Sequence, residues 1–73
     1  MQASQIKTMI ETGLPDATVE VFGDDGQHFD ATIVSPSFAG KTLIQQHRMV
    51  YTTLGDSFES ALHALSLKTS APR

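Results

Sequence analysis

Two stretches of alternating polar and apolar residues flank a tight turn, and this pattern restricts the possible folds more than any other feature of the chain. Between Asp16 and Phe22, apolar residues occupy every second position, which is the period of a strand with one buried face. The same period returns between His28 and Ile33. The intervening Gly23-Asp24-Asp25-Gly26 consists of residues that turns favour. The sequence therefore predicts an antiparallel β-hairpin.

Helical periodicity predicts one helix before the hairpin and a longer one after it. Ala3 to Gly13 has apolar residues at helical spacing, with Ser4 as the expected N-cap. Lys41 to Leu54 is expected to form the main core helix, with its apolar stripe against the sheet. That stripe consists of Leu43, Ile44, Val50, Tyr51 and Leu54, and it includes His47.

A shorter helix and a third strand are predicted towards the C-terminus. Phe58, Ala61 and Leu62 give a narrow apolar helical face, and Leu65 and Leu67 then alternate with polar residues. A strand that is reached through a helical crossover normally runs parallel to the strand that the chain left. We therefore expect the third strand to run parallel to the second, although two intervening helices could also return the chain antiparallel.

The predicted fold is a single α+β domain with the order α-β-β-α-α-β. A chain of 73 residues has no room for a second core beside the first. We expect residues 1–73 to form one domain, in which helices cover a three-stranded mixed sheet and residues 1–3 and 70–73 are frayed.

Parallel pairing of the last two strands would bring two histidines to the same end of the sheet. His28 stands at the start of the second strand and His63 at the start of the third, whereas antiparallel pairing would place them at opposite ends. From the residues alone, His28 is a solvated loop residue and His63 a half-buried residue with one satisfied nitrogen. His47 lies in the core stripe, so we assign it a structural role, packed or hydrogen-bonded.

Charge and composition argue against several functions. A net charge of −3, from eight acidic and five basic residues, disfavours nonspecific binding to a nucleic-acid backbone. The chain has no cysteine, which favours an intracellular, cytoplasmic setting over a secreted one. No apolar run reaches the roughly 18 residues of a membrane span, and no signal peptide is evident, so we expect a soluble, unprocessed protein. No catalytic motif is recognisable, and we do not expect an enzyme.

Four short motifs occur in a consistent order along the chain: GDDGQHF at 23–29, FAGK at 38–41, QHRMVY at 46–51 and LHALSLKT at 62–69. Together they resemble the BolA family over nearly the whole chain. The family's fold, α-β-β-α-α-β and similar to the type II KH arrangement, agrees with the predicted order. Gln46 departs from the pattern, because many relatives have a basic residue there.

The resemblance implies a partner role with CGFS-type monothiol glutaredoxins in iron-sulfur cluster trafficking or in iron and redox regulation. A [2Fe-2S] cluster would bridge the two proteins and would be bound only in the complex, with a cysteine and a glutathione on the glutaredoxin side. The family's ligand positions correspond to His63 and His28. Imidazole is a suitable iron ligand for a chain without thiolates, and two imidazoles on one iron would be a Rieske-like arrangement. Because a ligating nitrogen must be unprotonated, cluster capture should weaken as the pH falls from about 8 to about 6.

Two other functions remain open on the sequence. The first is a KH-like, nucleic-acid-binding transcriptional regulator, for which Lys41, Arg48 and Lys68 are the candidate contacts, although they are few beside eight acidic residues. The second is a metal-free adaptor that binds a partner protein. A homodimer is compatible with all of these functions.

Overall fold

A computed structural model describes residues 2–23, 25, 28–55 and 65–72, which form two helices and a three-stranded sheet. In chain order, the elements are α1 (Ala3–Gly13), β1 (Thr18–Phe22), β2 (Phe29–Val34), a 3₁₀ turn (Pro36–Phe38), α2 (Leu43–Leu54) and β3 (Leu65–Ser70). The third helix predicted around Phe58, Ala61 and Leu62 lies outside the described residues.

The sheet has the order β1-β2-β3 and is mixed. β1 and β2 are antiparallel, with Val19 opposite Ile33, so the predicted hairpin is confirmed. β2 and β3 are parallel, with Ala31 opposite Leu67, so the crossover prediction is confirmed as well. β2 is therefore the central strand, and its first residue, Phe29, pairs with the first residue of β3.

The alternation along the strands determines which side of the sheet is buried. Helices α1 and α2 lie on one side and bury the apolar positions of all three strands. The core consists of Ile6, Ile10, Leu14, Val19, Phe29, Ala31, Ile33, Phe38, Val50, Leu54 and Leu65. The opposite side of the sheet carries exposed residues, which include Glu20, Phe22, Asp30, Thr32, Ser66 and Lys68.

Both helices begin where a side chain satisfies free backbone N–H groups. The N-cap of α1 is Gln2 and not the predicted Ser4, because the Gln5 side chain accepts a hydrogen bond from the Gln2 N–H at 2.7 Å. α2 begins after Thr42, whose hydroxyl accepts from the Gln45 N–H at 3.1 Å, while Gln45 Oε1 accepts from the Thr42 N–H at 2.9 Å. This reciprocal capping box explains why α2 starts two residues after Lys41.

The first turn of α2 is exposed, contrary to the prediction that Leu43 and Ile44 belong to the core stripe. Their exposed fractions are 62% and 66%, and the buried side of the helix begins only at Gln46. Periodicity predicts the side of a helix that faces the core, but it does not predict how far along the axis the core extends.

The buried side of α2 begins at Gln46, whose side-chain amide forms hydrogen bonds through both its nitrogen and its oxygen. Its Nε2 donates to the carbonyl oxygens of Lys41 at 2.9 Å and Phe38 at 3.4 Å, and its Oε1 accepts from the Thr69 hydroxyl at 2.7 Å. Gln46, which departs from the family pattern, thus joins α2 to β3 and to the loop before α2. Among the described residues, no helix is long and apolar enough to cross a bilayer.

Candidate metal site at the hairpin

His28 precedes β2 directly, at the end of the sheet where the hairpin turns. The next residue, Phe29, is only 2% exposed and belongs to the core, so it anchors the backbone of His28. The His28 side chain itself is 76% exposed. The sequence-based description of His28 as a solvated residue therefore agrees with its environment, although the ring is held by a neighbour.

That neighbour is Asp25, which contacts His28 at two atoms. Asp25 Oδ1 accepts a hydrogen bond from the His28 backbone N–H at 2.8 Å, and Oδ2 lies 2.8 Å from His28 Nδ1. The Asp25 side chain is 50% exposed, so the pair is open to solvent. Sequence analysis missed this pairing, but the spacing of three residues in a turn was a usable signal, because aspartate commonly bonds the backbone that follows it.

Gly23 allows the two strands to approach each other closely beneath this pair. An ideal Cβ at position 23 would lie 2.5 Å from Cδ1 of Phe29 and 2.6 Å from the His28 carbonyl oxygen. Any side chain would therefore displace the residues that position the imidazole. The surface beside them is an open depression of about 480 Å³, lined by Phe22, Gly23, Asp25, His28 and Asp30.

His63, the second predicted ligand, lies outside the described residues. The structure does describe β3, which begins at Leu65, two residues after His63 in the sequence. Leu65 lies opposite Phe29 in parallel register. Within the described ranges, no group of three or more histidine, cysteine, aspartate or glutamate side chains is placed to hold a metal ion.

His47, which we assigned a structural role, is half-buried on α2. Its Nε2 is buried and has no hydrogen-bond partner among the described residues.

The three cations proposed as contact residues lie on two sides of the molecule. Lys41 and Arg48 are exposed at the beginning of α2 and on it, and α2 packs against the inner side of the sheet. Lys68 is on the outer side of β3, opposite Thr32 in the register. The structure therefore does not gather these three side chains into a single basic surface.

A second polar cluster, which the sequence did not predict, lies at the opposite end of the sheet. Asp16 Oδ1 accepts from the Ser35 hydroxyl at 2.7 Å, and Oδ2 accepts from the Ser37 hydroxyl at 2.6 Å. Ser35 is fully buried, and its N–H donates to the Ser70 carbonyl at 3.0 Å. The hydroxyls of Ser37 and then Ser35 hold the pKa of the Asp16 carboxyl below its usual value.

Comparison with known proteins places this chain in one family. A family model described as "BolA-like protein" matches residues 5–73. A solved bolA homologue from Coxiella burnetii superimposes with a TM-score of 0.84 at 45% identity, covering 99% of this chain and 92% of that one.

Among curated proteins, SufE-like protein 1 of Arabidopsis thaliana is 49% identical over 51 residues, which are 68% of this chain and 14% of that protein. Its solved BolA domain superimposes with a TM-score of 0.78 at 35% identity, covering 96% of this chain and 91% of the domain. The DNA-binding transcriptional regulator BolA of Escherichia coli is 40% identical over 42 residues, which are 58% of this chain and 40% of that protein. The chain thus spans less than half the length of these two curated relatives.

Proposed function

This chain belongs to the BolA-like family, and from that premise we propose that it is a non-enzymatic partner of a CGFS-type monothiol glutaredoxin. In this function, His28 and His63 co-ligate a bridging [2Fe-2S] cluster, while the glutaredoxin supplies a cysteine thiolate and a bound glutathione. The complex serves iron-sulfur cluster trafficking or the regulation of iron and redox state. The chain binds no cluster alone. Family relatives are named as regulators or BolA-like proteins, which agrees with a role outside catalysis.

The observation that supports this proposal most is the place of His28 relative to β3. His28 immediately precedes Phe29, and Phe29 is paired with Leu65 in parallel register. His63 precedes Leu65 by two residues, and two residues of chain reach at most about 7 Å. His28 and the start of β3 therefore lie at the same end of the sheet, which supports pairing His28 with a histidine that comes just before β3 in the sequence.

The donor set suits iron in a shared cluster. Imidazole is a good ligand for iron, and a chain without cysteine depends on another molecule for thiolates. The exposure of His28, at 76% of its side chain, leaves the ring accessible to a group carried by a partner.

Visible circular dichroism during titration into a cluster-loaded CGFS glutaredoxin tests the proposal. We expect a new spectrum with the wild-type protein, and we expect His63→Ala and His28→Ala each to abolish or strongly alter it. His47→Ala serves as the control, because His47 lies on α2 and not among the proposed ligands. An adaptor that works without metal would still bind the glutaredoxin, but the cluster spectrum would remain that of the glutaredoxin alone in every variant.

The pH response gives a second test of histidine ligation. Because a protonated imidazole cannot ligate, capture of the cluster should fall between about pH 8 and about pH 6. A flat response over this range, with the glutaredoxin cluster itself intact, would count against histidine ligands.

A nucleic-acid-binding regulator is the second candidate function, and the name of the E. coli relative favours it. Lys41 and Arg48 are its best-placed contacts, since Lys68 lies on the other side of the sheet. DNA binding that weakens steeply with salt and is lost in the Lys41→Ala, Arg48→Ala double variant would support it. Binding that is absent at low salt would remove it.

A further inference from the structure

The Asp25–His28 contact has a direct consequence for which ring nitrogen of His28 can bind a metal. An ionised carboxylate only accepts hydrogen bonds, so the 2.8 Å contact between Asp25 Oδ2 and His28 Nδ1 requires a proton on Nδ1. In the neutral ring, the lone pair is then on Nε2, at the far side of the ring from Asp25.

The same carboxylate also fixes the direction of the ring. Its second oxygen accepts from the His28 backbone N–H at 2.8 Å, so the backbone and the side chain of one residue are tied to a single group. A side chain that is 76% exposed has little packing to fix its rotamer. The hydrogen bond to Asp25 therefore restricts the ring where the surrounding protein does not.

We propose that Asp25 is a positioning residue, which holds His28 in the Nδ1–H tautomer and thereby presents Nε2 as the ligating atom. This inference rests on the proposed function, because it assigns a role within the cluster site. Carboxylates that accept from the second nitrogen of a ligating histidine are common in metal sites, and their removal typically weakens metal binding about 10-fold to 100-fold.

Replacement of Asp25 by asparagine is nearly isosteric but reverses the hydrogen bonding, so Asp25→Asn is the informative variant. An amide has one accepting oxygen and one donating nitrogen. If the oxygen continues to accept from the His28 N–H, the NH₂ group faces Nδ1 and can only donate to it. The ring proton then moves to Nε2, where it blocks ligation.

Asp30→Asn is the matched control, because it removes the same charge from the same depression. Asp30 is exposed on the outer side of β2 and lines the depression with His28, but it does not take part in the contacts that Asp25 makes with the ring. A purely electrostatic effect on the site would therefore appear in both variants.

The first readout needs no cluster: long-range ¹H–¹⁵N NMR of the ¹⁵N-histidine-labelled protein, at about pH 8 where free imidazole is mostly neutral. His28→Ala assigns the signals. We expect the Nδ1–H pattern for His28 in the wild type and in Asp30→Asn, and a shift towards the Nε2–H pattern in Asp25→Asn. The same tautomer in all three proteins would overturn the positioning role.

The second readout is the concentration of this protein that gives the half-maximal change in visible circular dichroism with cluster-loaded glutaredoxin. Asp25→Asn should raise it about 10-fold and Asp30→Asn should leave it unchanged. Equal values for Asp25→Asn and wild type would overturn the proposal while leaving the cluster function in place. If the wild type produces no spectral change, the cluster function is overturned instead. The NMR measurement of the tautomer then decides separately whether Asp25 orients the His28 ring.

Discussion

The two ends of the sheet each have an aspartate whose two carboxylate oxygens accept hydrogen bonds, but one aspartate binds a buried side chain and the other an exposed one. At the end formed by Ser35 and Ser70, Asp16 binds a serine that is fully buried. At the hairpin end, Asp25 binds a histidine whose side chain is 76% exposed. The Asp16 contacts stabilise a buried part of the fold, whereas the Asp25 contacts hold the backbone of His28 and orient its exposed ring. We therefore expect the hairpin end, and not the serine end, to be the one that binds a partner.

The largest effect should come from a substitution that disturbs the rigid support of the hairpin end. In Gly23→Ala, the new methyl group would collide with the Phe29 ring and the His28 carbonyl, and overpacking of this kind costs about 3 kcal/mol. Urea denaturation measures the loss. Gly40→Ala is the control: a Cβ there meets nothing within 4 Å, and its φ of +75° alone should cost about 1 kcal/mol. Equal losses in the two variants would mean that Gly23 does not support His28.

A smaller loss should follow from removing the buried donor at the other end. Ser35→Ala removes the buried hydroxyl that donates to Asp16 Oδ1 and that accepts from the Ser37 N–H, which should cost about 2 kcal/mol in urea denaturation. Ser37→Ala removes an exposed hydroxyl from the same carboxylate and should cost less. If the two variants were equally stable, burial of the donor would not distinguish this end of the sheet.

Acid should weaken the same end of the sheet, with a smaller effect because Asp16 is exposed. The serine hydroxyls lower the pKa of Asp16 in the folded state, so its contribution is complete above the usual value of 3.8 and is lost as the pH falls through the lower, folded value. Asp16→Asn should be less stable than wild type at neutral pH and should lose less stability on acidification. Parallel stability curves for the two proteins from about pH 6 to about pH 2 would contradict this assignment.

The smallest effect on stability is expected at the imidazole itself. His28→Ala removes an exposed ring that is bound mainly to another exposed side chain, and such changes usually alter stability by less than about 0.5 kcal/mol. Thermal and urea denaturation should therefore give nearly wild-type values, even though we expect the cluster spectrum to change. A loss as large as that of Ser35→Ala would make His28 a structural residue and remove the contrast between the two ends.

Local patterns predicted the framework of the fold well, and long-range contacts account for what they missed. Period-two alternation and the glycine-aspartate turn predicted the hairpin, and the crossover rule predicted the parallel β3. The contact between Asp16 and Ser35 spans 19 residues, so no local pattern contains it. The exposure of Leu43 and Ile44 was also missed, because periodicity does not report where the core ends along a helix. By contrast, the Asp25–His28 pair lies within one turn and was open to prediction.

Pulsed electron paramagnetic resonance of the reduced, cluster-bridged complex tests most directly whether His28 and His63 ligate the cluster. In this measurement, only the present chain carries ¹⁵N-labelled histidine, and its glutaredoxin partner is unlabelled. We expect couplings from directly coordinated ¹⁵N nuclei, one set of which disappears in His28→Ala and another in His63→Ala. A reduced cluster in the same complex without any ¹⁵N coupling from this chain would contradict ligation at the hairpin end.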